Sequence, residues 1–286
     1  MRARVPASAA NLGPGFDALA IALTSYVEVT VEPAGRLEVC ATGEGSELPA
    51  DASHLAVRVA AGIIGHERIH VEVDSDIPVG RGLGSSAALA VAAAAAAGAS
   101  DPFRYGVAID GHPENAAASC FGGLVVATTV DGQAVWRRLP LDPKLRFVVL
   151  IPDTVLHTAD ARAALPELVS HTDAVFNLGR MGVLLAGLAD GSQLMAEAGE
   201  DRLHQDQRSS LFPAATALLA GLREVGALMS CWSGAGPSLL AVAMAEDADA
   251  LAEGARALME REGVGGHVRL LDADLRGITL LPPHGK

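Results

Sequence analysis

Hydrophobic and polar residues alternate strictly along residues 26–32 (Tyr-Val-Glu-Val-Thr-Val-Glu), a period of two that predicts a half-buried strand. Pro33-Ala34-Gly35 ends it as a turn. Residues 37–41 read as a partner strand, and residues 69–74 repeat the alternation. Between them, residues 53–64 carry a helical spacing with Asp51 or Ser53 as the expected cap. Residues 85–97 are almost all alanine after two serines, the strongest helix-forming stretch in the chain, with a serine cap expected before it and Gly98 after it.

The second half opens with a short apolar strand, residues 145–151, bounded by Pro143 and Pro152. Helical patterns follow at 159–165, 172–188 and 213–225, and strand patterns at 227–232 and 238–243. A helix at 248–261 and a strand at 267–271 complete an alternating α+β order. The turn Leu141-Asp142-Pro143 is the expected boundary, dividing the chain into domains 1–143 and 144–286.

Composition narrows the function. The chain of 286 residues is half hydrophobic with 19% charged residues, enough to bury a core without disulfides or metals. No apolar run reaches the ~20 residues of a membrane span, and the start, Met1-Arg2-Ala3-Arg4, has no apolar signal core. A cytoplasmic protein without a membrane partner is therefore expected. The net charge of -13 opposes nucleic-acid binding, which needs a basic face. Cys40, Cys120 and Cys231 are scattered and read as free thiols. Only Lys144 and Lys286 are lysines, which excludes a Walker A loop and leaves no plausible pyridoxal phosphate lysine.

Four segments carry candidate chemistry. In Pro78-Val79-Gly80-Arg81-Gly82-Leu83-Gly84-Ser85-Ser86, alternating glycines lead into a helix N-terminus, whose exposed N–H groups and positive dipole end attract phosphate. His66-Glu67-Arg68-Ile69-His70 is a literal H-E-x-x-H, but Gly65 precedes it and a strand begins at Ile69. The two histidines then sit on a turn and a strand, which does not suit zinc. Asp110-Gly111-His112-Pro113-Glu114-Asn115 is an acidic Gly/Pro turn able to hold magnesium or an ammonium group. Ser233-Gly234-Ala235-Gly236-Pro237-Ser238 is a second backbone turn capable of anion contact.

Together these segments resemble the GHMP kinase superfamily, and within it the homoserine kinases. The opening residues 5–17 (Val-Pro-Ala-Ser-Ala-Ala-Asn-Leu-Gly-Pro-Gly-Phe-Asp) resemble the first motif of that family. The glycine loop and residues 234–238 are similar to its two glycine motifs, and residues 111–115 to its G-H-P-D-N. Residues 158–166 (Thr-Ala-Asp-Ala-Arg-Ala-Ala-Leu-Pro) and Asp201-Arg202-Leu203-His204-Gln205 with Arg208 extend the resemblance over most of the chain.

The resemblance implies an α+β, two-domain GHMP kinase fold: a first domain like domain 2 of ribosomal protein S5, then a ferredoxin-like domain. It implies transfer of the ATP γ-phosphoryl group to the side-chain hydroxyl of L-homoserine, a step of threonine synthesis, with ATP and Mg2+ as cofactors. By motif, Asn11, Asp17, Glu114, Arg162 and Arg208 would contact homoserine. Asn115 would lie near its hydroxyl and Thr158 near the transferred phosphate, with Arg162 counted among the catalytic residues. Pro78, Gly80, Arg81, Gly82, Leu83, Gly84, Ser85 and Ser86 would wrap the nucleotide, and Ser85 and Asp110 would hold magnesium. The chain departs from the pattern at Glu114, at Asp110, at Ala108 where a metal-binding glutamate is usual, and at His54 near the adenine pocket. A kinase of another small alcohol and an inactive nucleotide-binding homologue stay open as alternatives, as does a homodimer.

Overall fold

The computed structural model describes residues 1–282. Its first part runs β1 (Arg2–Ala10), β2 (Leu19–Pro33), β3 (Glu38–Gly43), α1 (Leu55–Ile64), β4 (Ile69–Ser75), α2 (Ser85–Ala96), α3 (Phe103–Asp110), α4 (Glu114–Phe121), β5 (Leu124–Val130) and β6 (Gln133–Arg138). The second runs β7 (Leu145–Pro152), α5 (Thr158–Ala163), α6 (His171–Ala189), α7 (Gln205–Arg208), α8 (Ala214–Glu224), β8 (Met229–Trp232), β9 (Leu239–Met244), α9 (Ala248–Arg261), β10 (Gly266–Leu271) and β11 (Thr279–Leu281).

Two sheets result. The first has the order β11-β1-β2-β4-β3, with β5 and β6 branching from the start of β2. The second is antiparallel throughout, in the order β10-β7-β9-β8, and with α9 between β9 and β10 it is the ferredoxin-like arrangement. The turn at Leu141-Asp142-Pro143 separates the sheets, but the tail crosses back, because β11 pairs with β1 at the edge of the first sheet. The C-terminal stretch of 144–286 thus contributes a strand to the first domain.

Apart from its edge strand β10, the second sheet is buried on both faces. In β7, Phe147, Val149 and Ile151 join the core of the first domain, while Val148 and Leu150 pack with α8 and α9. A two-residue period with both phases apolar is what a central, doubly covered strand requires. Burying each such side chain contributes about 1.5–3 kcal/mol. The halves therefore share one continuous core, and the site between them is set by packing.

The alanine stretch forms α2, with every residue from Ala87 to Ala96 except Leu89 buried. Alanine combines high helix propensity with a thin profile, so α2 lies close against β1 and β2 beneath its neighbouring helices. Two expected caps are corrected. The serines do not cap α2; Gly84 stands at its N-cap in a left-handed conformation, with no side-chain cap. Neither Asp51 nor Ser53 caps α1, because the Ser53 hydroxyl donates to Asp51 Oδ1 at 2.5 Å. His54 takes the position instead, its Nδ1 accepting from the Ala56 amide at 3.2 Å.

Candidate active site

The loop 80–86 threads between the two domains. The Ser8 amide in β1 donates to the Leu83 carbonyl at 3.1 Å. From the other side the Ser233 hydroxyl donates to the Gly82 carbonyl at 2.7 Å. Gly82 and Gly84 are both left-handed, with φ of 73° and 65°. A Cβ at Gly82 would collide with the Ser233 carbonyl, and one at Gly84 with the Ser8 hydroxyl. Glycine is required at both for conformation and space. The second glycine turn, 233–236, thus braces the first.

This loop, the uncapped N-terminus of α2 and the α3–α4 junction surround a cavity of about 280 Å³. Its wall includes Asn11, Asp17, Gly80, Gly82, Leu83, Gly84, Ser85, Ser86, Asp110, Glu114, Asn115, Thr158, Arg162 and Arg208. Pro78 and Arg81 are not in that wall. Arg81 donates through Nε to the Pro152 carbonyl at 2.8 Å and through Nη2 to the Asp153 carbonyl at 2.7 Å. It ties the loop to the end of β7.

The acidic side of the cavity forms where α3 ends at Asp110 and α4 begins at Glu114, so the expected loop is a helix-to-helix joint. Glu114 is 1% exposed; its Oε1 lies 2.5 Å from His112 Nδ1, and its Oε2 has no partner among the described residues. His112 Nε2 is likewise buried and without a partner among the described residues. Burial alone would lower the His112 pKa, but its hydrogen bond to Glu114 and the Glu114 charge outweigh it and raise the pKa. Ligand atoms of Asp17, His112 and Glu114 lie within 4.8 Å of one another. Burial pushes the Asp110 carboxyl up to about 6, assisted by the Glu114 charge and opposed by His112, Asn115 and Arg162.

Arg162 grips Asp17 with both ends of its fork, Nη2 to Oδ1 at 2.7 Å and Nη1 to Oδ2 at 3.1 Å. Asp17 is in turn held by its amide, which donates to Asn11 Oδ1 at 2.9 Å. The Asn11 amide group donates to the Gly234 carbonyl at 2.8 Å. Arg208 is 2% exposed and donates through Nη1 to Gly234 O and His204 Nδ1, each at 3.0 Å, and through Nε to Ala161 O at 3.3 Å. Burial lowers its pKa to about 10, which leaves it charged at neutral pH. Asn115 accepts from the Ser8 hydroxyl at 2.8 Å.

Sequence reasoning gave no role to Ser8, His112 or His204. Ser8 lies in an alanine-rich strand with no polar pattern to mark it. The two histidines lie inside motifs whose acidic, amide and arginine residues carry the more recognisable chemistry. The H-E-x-x-H segment is split as expected: His70 lies on β4, paired at 3.6 Å with Glu38, and His66 in the turn after α1.

Residues 52–123 match the family model for the GHMP kinase N-terminal domain, and residues 184–261 the model for the GHMP kinase C-terminal domain. A homoserine kinase of Moorella thermoacetica is 40% identical over 83% of this chain and 86% of its own length. The chain belongs to the homoserine kinase family of GHMP kinases. A homoserine kinase of Desulfitobacterium hafniense is 32% identical over 98% of the chain and 100% of its own. The crystal structure of a homoserine kinase from Cytophaga hutchinsonii superposes with a TM-score of 0.84 at 27% identity, covering 98% of this chain and 97% of that one. As a GHMP kinase the chain uses ATP, and the glycine loop before α2 is the feature of this cavity chemically suited to its phosphates. Among the described residues no helix is long and apolar enough to cross a membrane.

Proposed function

We propose that the protein transfers the γ-phosphoryl group of ATP to the side-chain hydroxyl of L-homoserine, giving O-phospho-L-homoserine for threonine synthesis. The observation that carries this reading is one cavity holding both an uncapped helix N-terminus behind a glycine loop and a paired Asp17–Arg162 beside the orphaned Glu114 oxygen. The first suits phosphate. The second suits a molecule with both an ammonium and a carboxylate group.

On this reading the triphosphate lies along Gly80–Ser86, with amide N–H groups and the Ser85 and Ser86 hydroxyls as donors. The homoserine carboxylate takes the Arg162 fork and Arg208, and the ammonium takes Asp17 and the unpaired Glu114 Oε2. The half-exposed Asp17–Arg162 pair is worth about 1 kcal/mol, so exchanging it for a zwitterion costs little. Asn115 and Thr158 line the space between, toward the substrate hydroxyl and the transferred group. Phosphoryl transfer through a loose transition state relies on positioning and charge neutralisation, so no strong base is needed.

Magnesium would be held by the Ser85 hydroxyl and the Asp110 carboxylate, hard oxygen donors in the same cavity wall. Bound there, it would neutralise phosphate charge. The cytoplasm is the compartment we infer. The deciding experiment measures ADP release with homoserine against a panel of other alcohols, with and without magnesium. Equal turnover of mevalonate or shikimate, or none with any alcohol, would overturn the substrate assignment.

A further inference from the structure

We propose that His204 is a positioning residue that aligns the two halves of the amino-acid subsite, joining the loop 11–17 of the first domain to Arg208 of the second. The inference rests on the reading that Arg208 and this loop receive the amino-acid substrate.

His204 is 0% exposed and both ring nitrogens bond to protein. Nδ1 lies 3.0 Å from Arg208 Nη1, and Nε2 lies 2.8 Å from the Gly13 carbonyl oxygen. A guanidinium has only donors, so Nδ1 must be the acceptor. The proton then sits on Nε2 and is donated to Gly13. Burial, with a smaller push from the Arg208 charge, lowers the pKa to about 4 against the opposing pull of Asp201, so this neutral tautomer holds at physiological pH. With both nitrogens committed and no solvent access, His204 cannot act as an acid or base on substrate.

Both bonded partners need holding. The loop contains Asn11, Leu12 and Asp17 in left-handed conformations, with φ of 70°, 50° and 51°. Such non-glycine residues persist only where the surroundings fix them. The bond to Gly13 pins the middle of that loop. Arg208 is a buried cation, and the His204 lone pair is one of only three acceptors it has among the described residues. The His204 and Gln205 amides donate to Asp201 Oδ2 at 2.9 and 2.7 Å, which sets the position of the ring. Phe16 stacks on the imidazole at 5.0 Å and carries the Arg208 and Arg162 guanidinium carbons at 5.4 and 5.8 Å from its ring.

Steady-state kinetics of His204→Leu, His204→Asn and His204→Gln, beside Arg208→Leu, test the proposal. Leucine keeps bulk and removes both bonds; the homoserine KM should rise about tenfold or more, with the ATP KM within about twofold. Asparagine puts an acceptor near Nδ1 and should recover most of the loss. Glutamine puts a donor near Nε2, restores the Gly13 bond alone, and should recover less. A His204→Leu enzyme with lowered Tm and an unchanged homoserine KM would overturn the inference, as would an equal rise in both KM values. Should the leucine variant not fold, asparagine performing no better than glutamine would overturn it equally. If Arg208→Leu itself leaves the homoserine KM unchanged, the substrate reading fails rather than the role of His204.

Discussion

Replacing Gly84 with alanine probes the contact that brings the phosphate loop, β1 and Asn115 together. The site has φ of 65°, where an L-residue is strained by about 1–2 kcal/mol. The new Cβ would also stand far inside contact distance of Ser8 Oγ, and 3.1 Å from Asn115 Oδ1. Ser8 is 0% exposed, so its hydroxyl can move only by breaking its bond to Asn115 and pressing on the core. The overpacking and the lost bond add roughly 2–4 kcal/mol. In a Ser8→Ala background the oxygen is gone and the next neighbour on residue 8 is its Cβ at 3.4 Å, an ordinary contact. Gly84→Ala should then cost its backbone strain and the remaining 3.1 Å approach to Asn115 Oδ1, so the cycle should show coupling of about 2 kcal/mol from the Ser8 overlap. Urea unfolding of the four proteins measures the coupling, and the ATP KM reports whether the loop moved. An equal cost of Gly84→Ala in both backgrounds would refute the argument that Ser8 defines this side of the loop.

Removing the fork with Arg162→Leu should lower kcat/KM for homoserine by at least about thirtyfold while leaving the ATP KM nearly unchanged. That penalty should vanish with an analogue whose carboxylate is an alcohol, as steady-state assays with both substrates would show. Asp17→Asn frees the Arg162 fork, so 4-hydroxybutyrate, which lacks the amine, should bind relatively better than in the wild type; calorimetric titration giving an unchanged preference for homoserine would contradict the exchange of ion pairs. Asp110 has a folded pKa of about 6 against about 4 unfolded, so its ionisation is penalised by roughly 3 kcal/mol in the folded state. The cost is absent below pH ~4, grows as pH rises to ~6 and is complete above that; Asp110→Asn should therefore raise Tm at pH 7.5 but hardly at pH 4, while weakening the magnesium response of turnover.

Much of the fold is legible in the sequence where side chains alternate strongly. The valine-rich part of β2, all of β4, and β7, α9 and β10 fall within a residue or two of their patterns. Other elements lack that signal. In β1, Pro6 marks a register shift, and apart from Val5 and Pro6 the buried positions are alanines and Ser8, too weak a contrast to read as a strand. The hairpin β5–β6 turns at Asp131-Gly132, a recognisable pair, but its strands are half-exposed and rich in Thr and Arg. In α3 and α4, eight residues each flank Gly-His-Pro, so punctuation outweighs periodicity. In the site, the residues named by motif converge except Pro78 and Arg81. What could not be read was which groups bind one another. Motifs give types along the chain, whereas the Asp17–Arg162 pair spans 145 positions and the His204–Gly13 bond 191.

Those long separations explain why the site lies at the seam rather than within either domain. The loop 80–86 belongs to the first domain, yet the Ser233 hydroxyl holds the Gly82 carbonyl and Arg81 anchors the loop to the end of β7. Asn11 and Arg208 come from opposite domains and donate to the same Gly234 carbonyl. One backbone oxygen in the second glycine turn thus fixes both the loop bearing Asp17 and the arginine facing it. On the proposed assignment, the phosphate side is braced by that turn through Ser233 and the amino-acid side through Gly234. A displacement of residues 233–236 moves both sides together, and their separation is what phosphoryl transfer must control, since misplacement by about 1 Å can cost on the order of a hundredfold in rate. A turn that the sequence marks only as capable of anion contact thus braces both sides of the cavity.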